Sequence, residues 1–476
     1  MLRVFIEHEI QNNLFNLRFL IGLILCIVLT ISCTAILTHD YKKEMQDYAL
    51  RRDMQDDFLD NYAHTNRLGP LMRQQKPPEN TRPFIIGMQR DADLGSFDDN
   101  PLPALFPPLD LIFIVTIIMS LMAILFAYDA VTGEKEKGTL KLMLSNPFSR
   151  AVLLLGKWIG GTVTLFIPFL LSIILGTIYI VLHPAVQWDI STWLSFALVV
   201  LASMTFISIW FLLGLMVSSH SRTSSTSILT SLFLWVLLIL VIPNISPYIA
   251  AQLIRIPSVN RIENERSRIL GVERDDLGRS MLADLNRTFD AQYGEPFNRY
   301  LNMGADQKRE AFADPVLKAM IERYRDASNQ LWREANEIQG EKARRLSAEL
   351  NNRAAVQTTL AKYIACISPY ANYIYLATDL TGTGLRSQGY FNRTTNVYFN
   401  QFRPYLERRV NETRQSDLAW NSNAFIDIKD RPRFTFEEEP VGGKLTAVLP
   451  FWGILLFFNV LFFGTAFVLF LRYDVR

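Results

Sequence analysis

An excess of charge of either sign is missing. Across 476 residues, 48 Lys and Arg stand against 46 Asp and Glu, a formal net charge of +2 with only 20% of residues charged. Such a balance leaves no electrostatic footprint for a polyanion, so no nucleic acid partner is expected. Cysteine is scarce as well: of the three, Cys26 and Cys33 lie within an apolar run and Cys366 stands apart, which excludes a disulfide framework. The five histidines, His8, His39, His64, His183 and His220, never meet a Cys or a second His at a metal-ligand spacing. A phosphate-binding loop is absent too. Gly156-Lys157 is followed by Trp158 where Ser or Thr is needed, and Gly382-Thr-Gly384 reads more simply as a helix end. The chain is therefore expected to hold no metal, no cofactor and no nucleotide of its own, and to be no enzyme.

What is present is apolar sequence gathered into blocks. Six stretches lack Asp, Glu, Lys and Arg and reach the roughly 20 residues that cross about 30 Å of hydrocarbon: 19–37, 111–128, 158–182, 192–217, 228–250 and 446–471. The expected fold is all-α, a six-helix transmembrane bundle with a large, mostly helical extracytoplasmic domain. The first block is longer than a signal-peptide core and follows a segment bearing Glu7 and Glu9, so a retained signal anchor is expected. In the short loops Arg3, Arg18, Lys135, Lys137, Lys141, Arg150, Lys157, Arg222, Arg472 and Arg476 share one side, and the loop 183–191 on the other side carries none. The positive-inside bias then places both termini in the cytoplasm of a multi-pass protein of the inner (cytoplasmic) membrane. Ionisable residues are missing from all six blocks, which argues against proton- or sodium-coupled transport. If the protein moves something, its energy comes from elsewhere.

The two long connections, 38–110 and 251–445, are assigned to the outside. The first opens with charged helical sequence, Tyr41 to Asp60, and turns Pro-rich from Pro70 onward. The second carries Leu317, Met320, Tyr324, Ala327, Leu331 and Ile338 at helical steps, which predicts long paired helices from about Glu263 to Lys362, turning at Gly294 to Pro296 and at Asp314 and Pro315. That stripe either packs on its own neighbours or docks a second copy or another protein. The apolar, aromatic tract Ile367 to Gly384 is either an interfacial segment or a buried core helix.

One loop stands apart, Tyr128-Asp-Ala-Val-Thr-Gly-Glu-Lys-Glu-Lys-Gly-Thr-Leu-Lys-Leu-Met-Leu-Ser-Asn-Pro-Phe-Ser-Arg150, continuing to Gly156-Lys-Trp158. A dense mixed-charge cluster, Glu134 to Lys137, precedes Leu140, Leu142, Met143 and Leu144, and Ser149 is placed to cap the next helix. From the residues alone this is either an amphipathic element that seats in a groove of a soluble partner or an ordinary charged connector. The segment resembles the loop between spans two and three of ABC-2 type transporter permeases. Asp129, Glu134, Glu136, Gly138, Thr139, Leu140, Pro147, Ser149, Arg150, Gly156 and Lys157 match that pattern position by position. Ser368-Pro369, Thr381 to Gly384 and the terminal Phe470 to Arg476 are similar as well, closest to permeases of nitrous oxide reductase maturation and gliding motility.

The resemblance implies a half-transporter whose loop 129–157 couples to a separate ABC ATPase subunit through Asp129, Glu134, Glu136, Gly138, Thr139, Leu140, Leu144, Pro147, Arg150 and Lys157. ATP and Mg would then bind in that partner. It also implies a second permease copy or a homologous permease. The start of the chain, 1–18, with Leu2, Ile6, Ile10, Leu14 and Leu17 on one face, resembles an interfacial elbow helix against membrane lipid, although a plain extension of the first span fits the same residues. An accessory protein on the outside is a further expected partner. The expected output is export of an apolar or lipid-linked substrate, or mechanical transmission across the membrane. The alternative from a different class is a membrane-anchored helical scaffold without ATP coupling.

Overall fold

The computed structural model describes residues 2–61, 74–87, 109–140, 149–304, 307, 314–416 and 425–472, and every regular element among them is helical. In chain order these are α1 (Leu2–Leu14) and α2 (Leu17–Asn61). Next comes α3, made of Leu111–Phe113, the π-helical Ile114–Met119 and Ser120–Ala127. A short α4 (Thr132–Glu136), α5 (Arg150–Val181) and α6 (Ile190–His220) follow, then α7 (Ser224–Leu253) with a π segment at Val236–Val241. The helices α2, α5, α6, α7 and the last helix of the chain, and the run Leu111–Glu136 made by α3 and α4, are long and apolar enough to cross a membrane. The all-α, six-span expectation therefore holds. The described residues divide into two compact units, Met1–Asn244 with Ala365–Arg476, and Ile245–Ile364.

The second unit contains α8 (Val259–Arg268, Ile269–Glu273 and Arg274–Tyr293), α9 (Glu295–Leu301) and α10 (Pro315–Ala365). Phe289, Phe297, Met320 and Ile321 are buried together, with Leu317, Tyr324 and Ala327 packed against them. The helical stripe thus buries its own core. Ile338, which the pattern also included, stays exposed. The residues expected as one outer domain, 251–445, divide at the end of this unit: from Ala365 onward the chain belongs with the bundle.

The remaining helices of the bundle unit are α11 (Pro369–Thr381), α12 (Leu385–Ser416) and α13 (Val441–Leu471). The most deeply buried span is α6, which packs against α3, α5, α11 and α13. Its Phe206, Trp210 and Phe211 are fully buried. Where lipid is as apolar as leucine, such close side-chain packing and internal hydrogen bonds are what join the helices. The tract that left two readings open is a buried core helix: α11 buries Ala371, Tyr373, Leu376, Ala377 and Leu380. The Tyr373 hydroxyl pairs with Ser203 of α6 at 2.8 Å, and Ser368 donates to the carbonyl of Leu238. That carbonyl lies in the π segment of α7, just ahead of Pro243, whose missing N–H removes a donor from the ladder. Gly382, with φ of 75°, ends α11 in the left-handed conformation, matching its reading as a helix end.

The largest departure from the expected boundaries is α2. The first span and the charged helix Tyr41 to Asp60 form one unbroken helix of 45 residues, because after Gly22 it contains neither Gly nor Pro to stop it. Pro70, Pro101, Pro103, Pro107 and Pro108 lie outside the described residues. Pro77, Pro78 and Pro83 belong to a strap, 74–87, that closes over the bundle end away from the chain termini, hereafter the far side. Phe84 and Ile85 are buried there, and Phe84 stacks on Phe196 at 4.7 Å.

Two aspartates begin spans on the far side, and their surroundings push them in opposite directions. Asp189 caps α6, and hydrogen bonds from the Thr192 and Ser191 hydroxyls hold its carboxyl down to about 2. Asp110 caps α3 by accepting from Phe113 N at 2.9 Å, and also accepts from Ile86 N of the strap at 3.2 Å. It is only 3% exposed, and burial outweighs those hydrogen bonds, raising its pKa to about 6. A carboxyl whose folded pKa is raised binds its proton more tightly in the native state, so its stabilising contribution is full below about 4 and is lost as pH rises through 6. The unfolding midpoint of the purified protein is therefore expected to fall relative to that of Asp110→Asn as pH rises from about 4 to 6, and to keep a constant offset above. A difference independent of pH refutes the assignment.

Candidate functional site

The loop singled out by its charges forms a compact hub at the end of the bundle that carries the chain termini, hereafter the terminal side. After α3 the chain turns at 128–131 into the short helix α4, and the N–H groups of Val131 and Thr132 both donate to the Ser218 hydroxyl near the end of α6, at 3.0 and 3.1 Å. The following charges alternate in sign because their partners do. Glu134 accepts from Lys157 of α5 at 2.6 Å. Lys135 donates to the carbonyls of Ser219 and Ser221 at 2.7 and 3.1 Å, placing a cation on the negative C-terminal end of α6. Glu136 accepts from the backbone N–H and the hydroxyl of Ser224, both at 2.8 Å, placing an anion on the positive N-terminal end of α7.

Lys157 is buried, at 5% exposure, and lies 3.7 Å from Glu9 of α1 besides pairing with Glu134. Its neighbours Gly156 and Gly160 let α1 approach the backbone of α5. A Cβ on Gly160 would meet Glu9 Cβ at 2.8 Å, and one on Gly156 would meet Phe5 Cβ at 3.1 Å. This is a small-xxx-small contact of the kind that brings helices together in lipid. The start of α2 closes the other flank: Arg18 donates to Asp129 and to the Leu125 carbonyl at 3.0 Å, and to the Tyr128 hydroxyl at 2.9 Å.

The predicted site residues that are described thus fall into three groups. Asp129, Glu134, Glu136 and Lys157 are brought together but face the helices of the bundle. Gly138 and Thr139, with Lys137, form the exposed tip, where Gly138 adopts a φ of 71°, and Leu140 is buried beneath them. Arg150 lies apart from the hub. It donates to the carbonyls of Phe470 and Leu471 at 3.1 and 2.8 Å, capping the end of α13. Lys157 sits on α5 itself, since that helix begins at Arg150 with Ser149 accepting from Val152 N, the cap expected from sequence. Leu144 and Pro147, with Lys141 and Arg476 of the charge asymmetry, lie outside the described residues. Sequence reading missed Glu9, Arg18 and Lys135 as members of the hub. The one signal was the pair of acidic residues, Glu7 and Glu9, ahead of the first apolar block.

A family model described as ABC-2 family transporter protein matches residues 4–475. The chain belongs to the ABC-2 transporter family. Among curated relatives, it is similar to the probable ABC transporter permease protein NosY of Pseudomonas aeruginosa, 46% identical over 59 residues, which are 12% of this chain and 22% of that protein. The protein of the same name from Stutzerimonas stutzeri is 44% identical over 59 residues, 12% of this chain and 21% of its own length. The aligned segment spans about a fifth of these relatives. Within this ABC-2 permease the hub explains why such a charge pattern sits between two spans: each charge closes a different helix.

Removing Lys157 leaves two carboxylates without their shared cation. Lys157→Met is expected to lower stability by about 3–5 kcal/mol, the range for breaking one side of a buried pair. Lys157→Met combined with Glu9→Gln and Glu134→Gln is expected to regain part of that loss. Chemical denaturation of the three proteins in detergent measures both, and an unchanged midpoint in the single variant contradicts the pairing.

Proposed function

We propose that this permease is the membrane subunit of an ATP-driven complex and that the turn Lys137, Gly138 and Thr139 is the seat of a separate ABC ATPase subunit. The observation that carries this reading is the division of the loop: Glu134, Lys135 and the exposed Glu136 are tied to α5, α6 and α7, and the three residues after them continue the exposed surface at the terminal-side tip. A protein seated on that tip would push on three spans at once. ATP and Mg would be held by the partner, and a second permease copy, identical or homologous, would complete the unit. The terminal side is then cytoplasmic and the membrane the inner one, a reading supported by the positive residues of the short loops. The uncharged spans fit export of an apolar or lipid-linked substrate or the passing of motion to partners outside.

The test is co-purification. Reversing charge at a docking surface costs several kcal/mol, so Lys137→Glu with Thr139→Asp is expected to lower recovery of the ATPase with the tagged permease about tenfold or more. Arg408→Glu, on the exposed surface of α12, is expected to leave it unchanged. Equal recovery from both variants removes the docking assignment.

A further inference from the structure

A helix that only anchors a protein needs about 20 residues to cross the bilayer; α2 has 45, a rod of about 67 Å at 1.5 Å per residue. Its sequence contains no Pro and, beyond Gly22, no Gly, so it lacks the residues at which helices most often kink. Polar contacts hold it at three levels. At the terminal side Arg18 grips Asp129, the first residue of the loop, together with Tyr128 and the Leu125 carbonyl. At the far-side border the Tyr41 hydroxyl donates to Asn80 at 3.0 Å and Glu44 pairs with Arg82 at 2.6 Å, both on the strap. Beyond the membrane, Asp56 and Asp60 together receive Arg431, whose side chain is 3% exposed; the Asp56 contact is 2.5 Å.

The last grip is embedded in a small core of its own. Leu59 of α2 is buried with Phe402 and Leu406 of α12 and with Ile426 and Ile428, on the segment that leads back into α13. The Tyr405 hydroxyl donates to Asp430 at 2.6 Å beside them. The guanidinium is buried while both carboxylates stay partly exposed, and the desolvation of Arg431 makes this pair fix geometry more than it adds stability. Here it fixes the outer end of α2 to the segment 425–440, and Leu59 with Phe402 and Leu406 adds α12 to the same core.

We propose that α2 is a lever, and that this permease has a mechanical output: displacement of the loop beside Asp129 is carried along α2, about its brace at the strap, to the module formed by α12 and residues 425–440. The inner arm is about 35 Å and the outer arm about 25 Å at 1.5 Å per residue. Arg18 and Arg431 are positioning residues at its two ends. The proposal rests on the ATPase-docking reading above and gives the outer insertion a role within it.

The experiment uses the full permease co-purified with its ATPase in lipid nanodiscs. Spin labels are placed at the exposed Gln187→Cys and Gln401→Cys, with Cys366→Ser removing the one native cysteine that is not buried. The 187–401 distance distribution is expected to shift when ATP and Mg are added. Arg431→Gln is expected to abolish the shift while ATP hydrolysis and ATPase recovery persist, and Arg431→Lys to restore it in part. A second variant, Ala49→Gly with Leu50→Gly, leaves both grips intact but hinges the rod at exposed positions, and is likewise expected to uncouple. A complex that hydrolyses ATP without any shift, or variants that keep the full shift, overturn the lever alone. A permease that captures no ATPase overturns the docking reading and the lever with it.

Discussion

Charges at the base of a membrane bundle are held in a medium that screens them poorly, so each must find a partner of opposite sign close by. That constraint organises the terminal side of this permease. The ends of its spans are themselves partial charges, negative at the end of α6 and positive at the start of α7, and Lys157 on α5 adds a full positive one. The run from Glu134 to Glu136 is spaced so that successive side chains answer these three in turn. Residues 134–136 are thereby tied to the three helices around them.

The same logic governs the far side with different partners. The strap 74–87 fills the end of the bundle with Phe84 and Ile85 and is tied to α11 by Thr81, which donates to the Thr381 carbonyl at 2.9 Å. Trp188 donates to the Asn80 carbonyl at 2.8 Å. Lys76 pairs with Glu79 and donates to Gly382 O at 3.0 Å. Polar groups at both bundle ends thus carry the specificity that apolar contacts in lipid do not supply, because one leucine face packs against another with little preference. Between the two ends, α2 is gripped by polar contacts at the terminal side, at the far-side border and past it.

Reading residues in order recovered the spans, the helix start at Ser149, the end at Gly382 and the importance of the loop, all features written within a few neighbouring positions. It did not find the partners that the loop's charges have within the chain. Glu134 and Glu136 match a docking pattern, and nothing local distinguishes a carboxylate aimed at a partner from one aimed at Lys157 or Ser224, which lie 23 and 88 positions away. Arg150 was grouped with them for the same reason, although its partners are the last carbonyls of α13, some 320 positions on.

Hydropathy is a local property, and the sequence by itself therefore determined that this is an all-α chain with six membrane-crossing helices and charged connections. Partner choice among charges depends on which helix ends meet in space. Only the tertiary structure decided that Glu9, Arg18 and Lys135 complete the hub, that α11 lies inside the bundle, and that α2 continues as one rod to Arg431. The reason is physical: these contacts join segments whose separation along the chain is unrelated to their separation in the fold, and desolvation makes each of them obligatory once the helices have packed.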